Sequence, residues 1–164
     1  MRRYHVSLIC LDDAIKTLLE RTGGKIVLAA PLGLGKPHRV LNAIYDAVEK
    51  DKKYHLQIST ALSLPPPKAH ANLEKRFLEP FLDRHFGTDF PVLRYATAQR
   101  SSSLPENITV QEFYMQSGAL LHSSQAQRNY NSLNYTHVAR ALAEKNINVL
   151  VQKVAREPGG TSLS

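Results

Sequence analysis

Between positions 30 and 40 the chain reads Ala30-Pro31-Leu32-Gly33-Leu34-Gly35-Lys36-Pro37-His38-Arg39-Val40. Glycines let a backbone approach an anion closely, and a helix start presents unpaired N–H groups to it. Lys36, His38 and Arg39 add positive charge at the same place. That is the chemistry of an anion-binding loop, but not in either of its two commonest forms. A Walker loop needs Gly-x4-Gly-Lys-Ser/Thr, whereas Ala30 stands at the first glycine and Pro37 replaces the metal-binding hydroxyl. The dinucleotide fingerprint needs a third glycine where His38 stands. A tight strand-to-helix turn with no ligand is the alternative reading of the same residues.

Two further polar segments carry usable groups. Ser59-Thr60-Ala61-Leu62-Ser63 offers hydroxyls at the end of an expected strand, able to bind a substrate oxygen or to cap a turn. The run from Asn129 to Arg140 packs amides and two tyrosines before a helix; Asn134 or Thr136 would cap it, or the cluster would line a polar pocket. The seven histidines are scattered, without His-x3-His or Cys-x2-Cys spacing, so no metal site is expected. A Gly-x-Ser-x-Gly elbow is absent. Cys10 has no base near it in sequence and is expected to be a passive thiol.

The elements that must position these groups follow from periodicity. Leu11, Ile15, Leu18 and Leu19 mark one face of a helix over 11–22, stopped by Gly23-Gly24. Residues 25–30 (KIVLAA) read as a buried parallel strand. A helix runs on from Pro37, placed at the first helical position. Residues 54–59 alternate as a second strand, completing a βαβ unit and an α/β class with a parallel sheet. Leu64-Pro65-Pro66-Pro67 is a loop; 69–84 is a helix that Pro80 ends or kinks. A strand is expected over 91–95, a short helix over 110–115, a helix over 135–145 and a buried strand over 147–154. Residues 157–164 read as loop.

Length and composition bound the class. A chain of 164 residues with 43% hydrophobic and 21% charged residues is an ordinary single globular domain, 1–164. No apolar run approaches the ~18 residues of a membrane span. One cysteine and an N-terminus broken by Asp12-Asp13 point to a reducing cytoplasm. The net charge of +7 favours anionic partners such as nucleotides or coenzyme A. It is spread without a basic stripe or stacking platform, which argues against nucleic acid.

Taken in order, KIVLAAPLGLGKPHRVLNAIYDAV, LQISTALSLPPP, LEKRFLEPFLDRHFG, LPENITVQEFYMQSGALL and NYNSLNYTHVARALAEKNINVLVQKVA resemble the N-terminal half of the acetyl-CoA hydrolase/transferase family, class I-type coenzyme A transferases. The match spans roughly residues 5–164. It implies a CoA-transferase-like α/β fold, an open, mostly parallel sheet with helices on both sides. Members of the family move CoA between carboxylic acids or hydrolyse acyl-CoA. A glutamate attacks the thioester, giving an acyl-glutamyl anhydride and then a glutamyl-CoA thioester, with backbone N–H groups stabilising the oxyanion.

The resemblance places that glutamate in the C-terminal half, so no catalytic residue is expected here and Glu106, Glu112 and Glu144 are not promoted. The chain is then an N-terminal domain or truncated fragment, inactive alone. Gly33, Gly35, Lys36 and Pro37 would form the substrate-side loop, with Ser59 and Asn134 beside it. No permanent cofactor or metal is implied, since the CoA thioester is the substrate. The expected partners are acyl-CoA, a small carboxylate, and the missing half or a further copy of the chain. The rival reading is a non-catalytic subunit or binding module that pairs with a separate chain carrying the glutamate.

Overall fold

The computed structural model describes residues 8–157 and 160–163. Cys10 opens α1 (Leu11–Thr22) by accepting the Asp13 N–H on its sulfur, and Asp12 and Asp13 occupy the positive first turn. Gly23 and Gly24 follow at φ 58° and 75°. At Gly24 a Cβ would also collide with the Tyr54 ring, so both the backbone angle and the space require glycine.

β1 (Lys25–Ala29), β2 (His55–Thr60), β3 (Ile108–Glu112) and β4 (Val149–Leu150) form an all-parallel sheet in the order β3-β2-β1-β4. Ile26, Leu56 and Ile108 align in one row and Leu28, Ile58 and Val110 in the next. All six are fully buried beneath α2 (His38–Lys50), which contributes Leu41, Ile44, Tyr45 and Val48. α4 (Arg94–Arg100) adds Tyr95 and Ala96 to this core, and α1 packs Ile15, Leu18 and Leu19 against it. The protein is thus α/β with a parallel sheet and flanking helices. On the opposite face Val27, Gln57, Thr109 and Gln111 are half-buried, with Gln57 donating to Gln111 at 3.2 Å.

Four expectations fail, each for a local reason. Residues 108–112 are a strand, not part of a helix over 110–115; β-branched Ile108, Thr109 and Val110 alternate at period two and pair with β2. The strand expected over 91–95 is replaced by α4, which starts at Arg94. The buried strand over 147–154 contracts to β4, with Leu150 72% exposed. Ahead of it the Asn148 side chain accepts from Val27 N–H and donates to the Lys25 carbonyl, so that at Asn148 only the backbone N–H, on the Val27 carbonyl, joins the ladder. The loop expected at 157–164 instead contains β6 (Gly160–Leu163), antiparallel to β5 (Val154–Glu157); positions 158, 159 and 164 lie outside the described residues.

The remaining helices are α3 (Asn72–His85), α5 (Ser124–Asn129) and α6 (Tyr135–Glu144). α3 runs through Pro80 rather than stopping there. α5 packs on β3 through buried Ala126. No helix among the described residues is long and apolar enough to cross a membrane.

Candidate functional site

The chain leaves β1 toward β2 and β3 on one side, while β4 returns to β1's other side. At such a reversal the loops after neighbouring strands diverge and leave a crevice outside their carboxyl ends. The loop after β1 begins at Pro31 and makes a 3-10 turn, Gly33–Gly35. The segment after β4 is tied to it, with Val151 N–H donating to the Ala29 carbonyl and Lys153 N–H to the Gly35 carbonyl at 2.8 Å. Between them lies an open cavity of about 430 Å³ lined by Pro37, His38, Arg39, Phe90, Gln152 and Lys153, among others.

The two glycines do different jobs. Gly33 has φ 68° with open space where a Cβ would go, so only its backbone angle requires glycine. At Gly35 a Cβ would press on Pro31 at 3.3 Å and approach the Gln152 amide at 3.7 Å. The close approach Gly35 permits is therefore to the chain's own Pro31 and Gln152. Pro37 stands one position before the helix, with His38 the first residue of α2.

His38 faces the crevice with its Nδ1 on the Lys36 carbonyl at 3.0 Å and its ring edge-on to Phe90. Burial lowers its pKa; the Lys36 and Lys153 charges add to this and the carbonyl bond opposes it. The imidazole is therefore neutral at pH 7, and the cationic groups of the crevice mouth are Arg39, which pairs with Asp89 at 2.8 Å, and Lys153.

Lys36 turns the other way. It is only 2% exposed, and its Nζ donates to the Ala61 carbonyl at 2.7 Å and to Ser63 Oγ at 3.3 Å. Ser63 and Tyr95 hydroxyls share a bond of 2.8 Å, and Arg100 donates to the Ser63 carbonyl. Leu62, at φ 48°, is a non-glycine residue in the left-handed region, held by its N–H on the Tyr114 carbonyl. This reversal at the end of β2 aims Ser63 back at Lys36.

Glu112, the last residue of β3, faces the same cluster and is buried. Desolvation pushes its pKa up, offset in part by Ser63 and by the Lys36 and Arg100 charges. Desolvation likewise pushes Lys36 down to about 8, with Glu112 opposing. Burial raises the Tyr95 phenol. Beside Glu112 and Gln99 is a void of about 10 Å³, water-sized at most. That void is too small for a thioester, and the buried Glu112 carboxyl faces Ser63, Lys36 and Arg100 with its Oε1 lacking a hydrogen-bond partner.

Of the residues singled out from sequence, Gly33, Gly35, Lys36 and Pro37 come together on one loop. Ser59 is buried with its hydroxyl unpartnered, at the register of Gln111 and away from the Lys36 cluster. Asn134 is exposed and caps α6, accepting the Thr136 N–H at 3.2 Å. Its segment runs past the end of β3, where Asn131 N–H meets the Glu112 carbonyl, two strands from β1. Sequence reasoning missed Tyr95, Gln99, Gln152 and Lys153, which no local pattern marks. Among the described residues no group of three His, Cys, Asp or Glu side chains could hold a metal ion. Comparison with protein-family models, curated proteins and solved structures returns no match.

Proposed function

We propose that this chain is the N-terminal domain of an acyl-CoA (acetyl-CoA) hydrolase or CoA transferase, with a CoA-transferase-like fold, and that the crevice between the loops after β1 and β4 receives the anionic part of coenzyme A. The observation that carries this reading is the crevice itself. It stands at the point where strand order reverses, beside the start of α2, with Arg39 and Lys153 at its mouth and Phe90 as an apolar wall. Phosphate oxygens suit the cationic mouth, and an adenine or pantetheine chain suits the apolar wall. The family resemblance of the five ordered segments supports the same substrate.

In this reading the nucleophilic glutamate, with its glutamyl-CoA intermediate, lies outside these 164 residues, supplied by a C-terminal half or a partner subunit. The chain's own residues bind and orient. Gly33 sets the loop's turn, Gly35 its contact with Gln152, and Lys36 its anchorage to the sheet. The reading also places the protein in the cytoplasm, where the exposed Cys10 thiol stays reduced.

Isothermal titration of the chain with CoA tests it. Binding is expected, weakening about tenfold in Arg39→Ala/Lys153→Ala and falling with added salt. Acetyl-CoA is expected to bind without being cleaved. No heat of binding, or glutamate-dependent thioester cleavage by the chain alone, contradicts the proposal.

A further inference from the structure

α3 has 14 residues, and none of them is buried. Leu73 and Phe77 are 78% and 80% exposed and Phe81 is 39% exposed. Spaced four residues apart, they form one apolar line along the helix. Glu74, three residues before Phe77, and Arg84, three residues after Phe81, border the two ends of this line. Glu74 is fixed in place, because its Oε2 accepts the His70 and Ala71 N–H groups at the helix start. His85 stacks on Phe81 with centroids 4.0 Å apart, widening the apolar surface at the other end.

The line is complementary to itself. When two copies lie antiparallel about a two-fold axis through Glu79, Phe77 of each meets Phe81 of the other. The same axis brings Glu74 opposite Arg84 and Leu73 opposite His85, each pair occurring twice. A parallel arrangement would set Glu74 against Glu74 and Arg84 against Arg84. The antiparallel one joins the phenylalanines to each other, Leu73 to the His85 ring and Glu74 to Arg84, while Glu79, two residues from both Phe77 and Phe81, points away from the contact. We infer that α3 is a self-association surface on which a second copy of this chain docks antiparallel. The two copies of Leu73, Phe77 and Phe81 bury less than about 1,000 Å² in total, the size of a weak, transient interface.

Sedimentation equilibrium of the full chain over a micromolar concentration series tests this. A monomer–dimer equilibrium is expected, abolished by Phe77→Glu, an exposed position whose change leaves the circular dichroism spectrum intact. Arg84→Glu and Glu74→Arg each set like charges face to face and weaken the dimer at least tenfold. Mixing those two variants restores it, since each then presents the complement of the other, and this rescue separates charge pairing from loss of the Glu74 cap. A chain monomeric throughout the series leaves the surface to another occupant and overturns the inference. A dimer indifferent to Phe77→Glu, or a mixture no tighter than its separate components, overturns it equally.

Discussion

One loop feeds two regions of opposite character. Lys36 carries its charge inward, into a closed cluster with Ser63, Tyr95 and Glu112, beside a void of about 10 Å³. Two residues on, His38 and Arg39 face an open crevice of about 430 Å³ shared with Lys153. Both regions are polar and both sit at the carboxyl ends of strands. In the inner one, burial shifts the ionisable groups, as Lys36 and Glu112 show. In the outer one Arg39 and Lys153 are exposed to water, Arg39 in an ion pair with Asp89. Strongly perturbed groups often mark functional sites, yet structural ion pairs perturb pKa as well. Here room for a ligand separates the two: the inner cluster holds the loop to the sheet, and the outer crevice is the proposed binding site.

The largest effect expected from breaking this division comes from Lys36→Met. It leaves the Ala61 carbonyl and the Ser63 hydroxyl without their buried donor, costing about 1–3 kcal/mol for each in urea denaturation. Adding Glu112→Gln recovers only part of that loss, because it removes the buried carboxylate but restores no donor to Ala61 and Ser63. A full recovery of stability without recovery of CoA affinity would show that Lys36 also touches ligand.

Next in size is a pH effect. The Lys36 ammonium has a pKa of about 8 when folded and 10.5 as its ordinary value, so between these the unfolded chain binds the additional proton. Stability relative to the Lys36→Met/Glu112→Gln variant therefore rises between about pH 8 and 10.5, by about 3 kcal/mol. A flat difference across that window would mean that Lys36 is solvated.

Smaller effects sharpen the outer region. Gly33→Ala meets no steric obstacle but must adopt φ 68°, at a cost of about 1–2 kcal/mol, and it distorts the loop enough to weaken CoA binding. Asn134→Ala removes the cap of α6 for about 1 kcal/mol and leaves CoA affinity unchanged, because its segment runs past β3 and not past β1. Thermal melts and titrations on the same samples check both.

How much of this was legible in the sequence depends on how local the cause is. The strand–glycine loop–helix–strand unit was readable because Ile26, Leu28, Leu41, Ile44 and Val48 repeat at the period of their own elements. Asn134 capping α6 was one of two readings its neighbours allowed. The inward turn of Lys36 was not readable, since it depends on Leu62's left-handed backbone and on Ser63 and Glu112 arriving from two other strands. The length of β4 was hidden for a similar reason: the Asn148 side chain occupies β1 hydrogen bonds that strand backbone otherwise fills. Lys153 joins the crevice only because β4 lies beside β1, a fact of strand order that no local window contains.

The most direct measurement is a titration of the isotopically labelled chain with CoA, followed by amide chemical shifts. The account predicts perturbations at Gly33, Gly35, His38 and Arg39 and across Gln152 to Val154, with Ser59 and Asn134 unmoved. Shifts centred on the segment past β3, or no shifts at saturating CoA, would contradict it.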